Sequence, residues 1–295
     1  VKRDDLTGLA LGGNKVRKLE YLVAEAQAVG ARTLLTFGAV QSNHCRQTAA
    51  AAARANMDCV LVLGGSRPAR MDGNVLLDSL FGAELVWAGE RDRERVWLET
   101  FERLWAEGRR PHRIPYGGSN AVGAAAYAMA MEEFLSQGLE VELIVFASSS
   151  AGTQAGLVAG ARLFGFPGRV LGISVDMPAD QLRSRVAGLA VEVAAALGES
   201  LAVSPDEVEV SDRYCQAGYG VLTDLEREAI REFGRSEGLL LDPVYTGRAG
   251  GGLIDMVRRG EIGRNTRTLF WHTGGAPAIF AYSEQLTPPQ DPSPR

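Results

Sequence analysis

The feature that most constrains this chain is an alternation of short apolar runs with longer helical patterns. Runs rich in Val, Leu and Ile occur at 33–37, 59–63, 85–87, 143–147, 170–175 and 268–271, and helix-like periodicity follows at 43–56, 73–81, 91–107, 121–137, 153–164 and 180–197. Consecutive rather than alternating apolar residues mark strands buried on both faces, and helical connections between them imply parallel pairing. The expectation is an α/β fold with two domains, each a parallel-rich twisted sheet flanked by helices. The first set of strands ends near Trp87, and a polar stretch at 108–120 leads into the second. The opening Val1-Lys2-Arg3-Asp4 reads as the end of a strand and does not begin with Met, as in a fragment. Five consecutive alanines, Ala49 to Ala53, give a helix surface that allows close packing, and the Pro-rich tail at 287–295 is expected to fray.

Bulk properties exclude several classes. With 295 residues, 46% hydrophobic and 23% charged, the chain can bury a large core. A net charge of −5 gives no electrostatic footprint for nucleic acid. No apolar run approaches the roughly 20 residues of a membrane helix, and no signal peptide is visible. Cys45, Cys59 and Cys215 form no Cys-x-x-Cys pair and no ligand cluster with His44, His112 or His272, so neither a disulfide scaffold nor a metal site is expected. These properties suit a cytoplasmic enzyme acting on a small molecule, without a membrane or nucleic-acid partner.

Five segments can carry chemistry. In Gly12-Gly13-Asn14-Lys15-Val16-Arg17-Lys18 the glycines permit a sharp turn, Asn14 can cap a helix, and Lys15 falls in its first turn. The positive helix end with Arg17 and Lys18 nearby favours a neutral Lys15 amine. Lys18, three residues on, shares its face and can reach an anion. Gln41-Ser42-Asn43-His44 follows a strand and can cap the next helix, at the crevice where open α/β sheets bind ligands. Ser148-Ser149-Ser150-Ala151-Gly152-Thr153 also joins a strand to a helix and offers backbone N–H groups to a phosphate. It is neither a Walker loop nor a dinucleotide Gly-x-Gly-x-x-Gly. Asp242-Pro243-Val244-Tyr245-Thr246 sets an aromatic ring before a helix, and His272-Thr273-Gly274-Gly275 ends the last strand. Each segment alone is also consistent with an ordinary helix start, turn or core residue.

Taken in this order, the segments resemble the D-cysteine desulfhydrase and 1-aminocyclopropane-1-carboxylate (ACC) deaminase family, which has the tryptophan-synthase-β-like fold, pyridoxal 5′-phosphate (PLP) fold type II. The likeness runs from Lys2-Arg3-Asp4-Asp5-Leu6-Thr7-Gly8 to Phe280-Ala281-Tyr282, with Gly-Gly-Asn-Lys and Gln-Ser-Asn-His as its most specific motifs. It implies a large PLP-binding domain of residues 1–15 and 124–295, a small domain of 16–123, and a further N-terminal segment ahead of Lys2. By position, the resemblance makes Lys15 the Schiff-base lysine, Lys18 a phosphate contact, and Ala151, Gly152 and Thr153 the phosphate loop. Asn43 becomes the partner of the cofactor's phenolic oxygen, and Ser42, Asn43 and His44 the substrate contacts, with Ser42 also among the catalytic residues. Tyr245 is the ring-side tyrosine, Tyr219 a second catalytic tyrosine, and Thr273 the partner of the pyridine nitrogen. Homodimerisation is implied on the same ground.

The implied reaction is β-elimination from a small amino acid, foremost D-cysteine to pyruvate, sulfide and ammonia. A threonine at the pyridine nitrogen gives a weaker electron sink than a carboxylate, which suits a leaving group that departs promptly. Either the freed Lys15 amine or a tyrosinate can take the Cα proton. Where ACC deaminases of the family carry Gln, Glu and Leu, this chain has His44, Thr246 and Thr273, favouring the desulfhydrase branch. L-Cysteate sulfo-lyase and ACC deaminase are the alternatives among enzymes. A catalytically inactive PLP-fold binding module is the alternative outside them.

Overall fold

The computed structural model describes residues 1–287, so the fraying expected at 287–295 lies, beyond Thr287, outside the described residues. The strands are β1 (Lys2–Arg3), β2 (Thr33–Gly38), β3 (Asp58–Leu63), β4 (Glu84–Trp87), β5 (Pro111–Arg113), β6 (Leu143–Ser148), β7 (Arg169–Ser174), β8 (Glu209–Ser211) and β9 (Thr268–His272). The helices are α1 (Asn14–Ala28), α2 (Asn43–Arg54), α3 (Gly73–Leu80), α4 (Arg93–Ala106), α5 (Ala121–Ser136), α6 (Gly152–Leu163), α7 (Ala179–Ala196), α8 (Asp224–Glu237), α9 (Thr246–Arg258), α10 (Ala278–Ala281) and α11 (Ser283–Leu286). None is long and apolar enough to cross a membrane.

Two sheets form, with strand orders β1-β9-β6-β7-β8 and β4-β3-β2-β5. Every pairing within them is parallel. The central strands β2 and β6 are buried along their whole length, as expected where helices cover both faces. The larger sheet separates two apolar clusters. One joins α5, α6 and α7 through Tyr127, Phe134, Leu157 and Val186, and the other lies under α9 around Val145, Ile173 and Phe270. In the smaller sheet α2 packs through Ala49 and Ala52 against Leu34, Leu61 and Leu63. The polyalanine face brings helix and strands close.

The N-terminal residues are tied to the larger sheet. Lys2 and Arg3 pair with Trp271 and His272. The buried Asp4 carboxylate accepts from Trp271 Nε1 at 2.8 Å, from Arg17 Nε at 3.0 Å and from the Tyr127 hydroxyl. Asp4 also receives the Gly13 N–H on its backbone oxygen at 2.8 Å, which fixes the turn ahead of Lys15.

Candidate active site

Parallel strands present their carboxyl ends on one side, and four of those ends converge. Beyond β2 come Ser42 and Asn43, beyond β5 Tyr116 and Gly117, beyond β6 Ser148 to Ala151, and beyond β9 Thr273 and Gly274. With Asn14 and Lys15 they wall a cavity of about 610 Å³, part of it open to solvent. Lys15, Ser42, Asn43, His44, Ala151, Thr153, Tyr245 and Thr273, expected from sequence, all line it. Lys18, Gly152 and Tyr219 stand behind its wall.

Lys15 enters through a close crossing of two chain segments. The Asn14 N–H donates to the Thr273 carbonyl at 2.9 Å. A Cβ on Gly274 would stand 2.7 Å from Gly13 Cα, so glycine permits the approach. Asn14 does not cap α1. Gly13 holds the cap position, and the Asn14 amide instead donates to Thr153 Oγ1 at 3.0 Å, linking α1 to α6. The Lys15 amine is lowered to about 8, chiefly by burial. The residue as a whole is half-buried, and it lines the cavity. The role expected of Arg17 is corrected: its guanidinium turns away to Asp4 and Glu133.

Lys18 is fully buried, and its Nζ donates to the Gly117 carbonyl and Ser119 Oγ, each at 3.2 Å. Burial first, then the charge of Lys15, pushes its amine well below the ordinary lysine value. Above it begins α6. A Cβ on Gly152 would lie 2.5 Å from Ser119 Oγ and 2.8 Å from Lys18 Nζ, so the lysine sits directly under the helix start. Ala151 ahead of it has φ 68°, a left-handed conformation costly for a residue with a side chain and typical of functional turns. The result is a cradle of lysine, hydroxyls and free N–H groups suited to an anion.

Across the cavity, Ser42 Oγ caps α2 by accepting from Cys45 N–H at 3.2 Å, which leaves its hydroxyl proton free to donate. Asn43 Oδ1 accepts from Arg46 Nη1 at 3.1 Å and Asn74 Nδ2 at 2.9 Å. His44 pairs its Nε2 with Thr36 Oγ1 at 2.9 Å, and its Nδ1 is buried without a partner. Burial, followed by the charges of Lys15 and Lys18, holds this imidazole well below its usual value and therefore neutral.

The Tyr245 hydroxyl meets that of Tyr219 at 2.8 Å. Burial drives both phenols upward, so at neutral pH they are hydroxyls and not tyrosinates. Asp242 fixes Tyr245: its carboxylate accepts the N–H groups of Val244 at 3.0 Å, Tyr245 at 3.0 Å and Thr246 at 2.7 Å, and the Thr246 hydroxyl at 2.8 Å. Tyr219 is fixed by Arg248, which donates to the carbonyls of Val175, Gly218 and Val221 and pairs with Glu226 at 2.6 Å, both charges fully buried. The turn bearing Thr273 is held by Gly274 N–H donating to His272 Nδ1 at 3.1 Å.

Tyr116 also lines the cavity, and none of the five sequence segments pointed to it. Tyr116 lies in the stretch read as a polar connector. Its signal was the Tyr-Gly-Gly-Ser-Asn sequence, in which Asn120 caps α5 by accepting from Gly123 N–H at 2.9 Å. That is the same strand, turn and capped helix seen at Gln41-Ser42-Asn43-His44. Ser148, from the segment read as a phosphate loop, also lines the cavity, and its Oγ is buried without a partner at the end of β6.

These features define a class: an α/β enzyme with a low-pKa lysine at one end of a cavity and an anion cradle at the other. Such a site fits PLP, whose aldehyde needs a neutral amine and whose phosphate needs the cradle. The comparisons with known proteins agree. The sequence profile described as pyridoxal-phosphate dependent enzyme matches residues 1–274. D-Cysteine desulfhydrase of Yersinia enterocolitica is 42% identical over 295 residues, covering 97% of this chain and 89% of the relative. A putative ACC deaminase of Pyrococcus abyssi is 40% identical, covering 97% and 87%. A crystal structure of an ACC deaminase homologue superposes with a TM-score of 0.90 at 40% identity, covering 97% of this chain and 86% of the other. The chain belongs to the pyridoxal-phosphate dependent enzymes, with the fold type II architecture.

Proposed function

We propose that this enzyme eliminates the β-substituent of a small amino acid, with D-cysteine as substrate and pyruvate, sulfide and ammonia as products. The observation that carries the reading is Lys15: a buried amine lowered to about 8, facing the Ser148–Thr153 turn and Tyr245 across one cavity. When bound, PLP supplies the aldehyde that takes up the amino group and the ring that withdraws the electron pair left at Cα. Lys18, Ser119 and the start of α6 would hold its phosphate, with Ala151, Gly152 and Thr153 forming the loop around it. The Asn43 amide would donate to the phenolic oxygen, and the Thr273 hydroxyl would serve the pyridine nitrogen. Ser42 donates its hydroxyl proton to the substrate carboxylate beside Asn43, and the neutral His44 closes that wall.

Lys15 takes the Cα proton, because both tyrosines are held protonated and an amine near 8 is matched to the task. The Tyr245 hydroxyl, backed by Tyr219, then stands ready to protonate the departing sulfur. Among the described residues lining the cavity, Lys15 is the one cation, which disfavours the sulfonate of L-cysteate. ACC ring opening is the second reading, favoured by the Pyrococcus relative at 40% identity. It is disfavoured by His44, Thr246 and Thr273. The same proposal comprises a homodimer with a large domain of 1–15 and 124–295 and a small domain of 16–123. It also comprises a cytoplasmic setting, for which three free cysteines speak.

The test is 2-oxo acid and sulfide release from D-cysteine, L-cysteine, L-cysteate, β-chloro-D-alanine and ACC. D-Cysteine should give both products, and Lys15→Ala should abolish turnover together with the visible absorbance of the bound cofactor. Preferred turnover of ACC, or wild-type turnover by Lys15→Ala, would overturn the assignment.

A further inference from the structure

Behind the cavity wall, α2 and α3 bring together polar side chains that the reaction itself does not use. Arg46 is fully buried, and its acceptors are uncharged oxygens: Asn74 Oδ1 at 2.8 Å, Asn43 Oδ1 at 3.1 Å and the Gly12 carbonyl at 2.8 Å. Asn74, also fully buried, donates through Nδ2 to the Gln41 carbonyl at 2.9 Å and to Asn43 Oδ1 at 2.9 Å, and its backbone N–H donates to Gln41 Oε1 at 2.8 Å.

The two ends of this chain of bonds have unambiguous chemistry. A guanidinium only donates and a backbone carbonyl only accepts. Arg46 therefore compels the oxygen of Asn74 to face it, and the Gln41 carbonyl compels the Asn74 NH2 to face the other way. That leaves Asn43 meeting two donors, so its oxygen turns inward and its NH2 turns outward. Rotating the Asn43 amide by half a turn would set its N–H groups against those of Arg46 and Asn74.

We infer that Arg46 and Asn74 are positioning residues that lock the Asn43 amide with its NH2 toward the cavity, as a permanent donor to the phenolic oxygen of the cofactor. The inference rests on the reading of Asn43 as the partner of that oxygen. A charged donor behind the amide oxygen also polarises the group and strengthens its N–H as a donor. Through its bond to Gly12, Arg46 further ties this wall to the segment that carries Lys15. The titratable or charged groups surrounding the network are Lys15 and Lys18 of α1, His44 of α2, Asp78 of α3, and Asp242 ahead of α9. Burial holds the Asp78 carboxyl well above its ordinary value, and neither of its oxygens bonds Arg46.

The measurement is the absorbance spectrum of the reconstituted holoprotein. A donor at the phenolic oxygen favours the visible-absorbing tautomer of the bound cofactor, and its loss favours the near-ultraviolet one. Asn74→Asp keeps shape and offers Arg46 a carboxylate partner, but it cannot donate to Asn43 and invites the Asn43 NH2 to turn inward. Arg46→Gln removes the charged donor. Each should lower the visible to near-ultraviolet ratio by about tenfold, the loss of one hydrogen bond to a charged oxygen. Arg46→Lys should restore part of it. A wholly structural role would lower the unfolding midpoint and leave the ratio at the wild-type value, which would overturn the inference. Asn43→Ala separates the two levels. An unchanged ratio there refutes the reading of Asn43 itself, whereas a changed ratio there with wild-type spectra in Asn74→Asp and Arg46→Gln refutes only the positioning.

Discussion

An amine must lose its proton before it can attack an aldehyde, so the lowered value of Lys15 is a kinetic statement. With the group near 8, about one molecule in ten is reactive at pH 7, against fewer than about one in a thousand for an ordinary lysine. The rate at which the apoprotein takes up PLP should therefore climb about tenfold per pH unit below 8 and level off above it. Stopped-flow absorbance would show this, and a rate that stays level through neutral pH would remove Lys15 as the attachment point. Gly152 provides a second test at this scale, because a Cβ there would enter the space between Ser119 Oγ and Lys18 Nζ. The same Cβ crowds the Ser119 side chain, so Gly152→Ala should lower the apoprotein's stability by about 1–3 kcal/mol while leaving it folded. The dissociation constant for PLP should rise on the order of tenfold or more as phosphate hydrogen bonds are lost. Equal PLP affinity in wild type and variant would place the phosphate elsewhere.

Glu226 shows how one side chain can serve an element and the site together. It closes the capping box of α8 with Thr223, whose N–H donates to it at 2.8 Å, and neutralises Arg248, which holds the carbonyls flanking Tyr219. Glu226→Gln leaves a buried guanidinium without its counter-charge, a loss of about 3–5 kcal/mol. Denaturant titration should show that loss, and kcat should fall as the Tyr219 segment loosens. The exposed pair Asp180–Arg183 is the control, since Asp180→Asn should change stability by less than about 1 kcal/mol. Equal losses in the two variants would deny Arg248 its role. Elements of this molecule were legible in proportion to their length and burial. β2, β3, β6 and β7 are six residues each and almost wholly apolar, and they stand out against the helices between them. β5 and β8 are three residues each, and β5 begins with proline, so neither carries a periodic signal. Missing β5 hid Tyr116, because an aromatic residue reads as a connector unless a strand end is known to precede it.

At the scale of the whole molecule, the cavity is shared between the two sheets. Asn43 and Tyr116 come from beyond strands of one, and Thr153, Tyr245 and Thr273 from the other. The residues that touch the cavity were largely readable, because small and hydroxyl residues at strand ends form local motifs. The support behind it was not. Arg46, Gln47 and Asn74 look like a solvated helix face in sequence, and only packing between α2, α3 and the turn at Gly12 buries them. A ligand gripping both sheets should couple them, because it binds the folded arrangement and not the unfolded chain. At a PLP concentration about a hundred times its dissociation constant, the linkage is worth about 2.7 kcal/mol, and the unfolding midpoint should rise by roughly 4 °C. Lys15→Ala keeps the phosphate cradle and the Asn43 wall but cannot join the aldehyde, so at the same concentration its midpoint should rise by a smaller amount. Scanning calorimetry of the apo and PLP-saturated forms of both proteins checks this. Equal shifts would mean that the bond to Lys15 adds nothing to cohesion, and no shift in either would mean that PLP does not hold the sheets together.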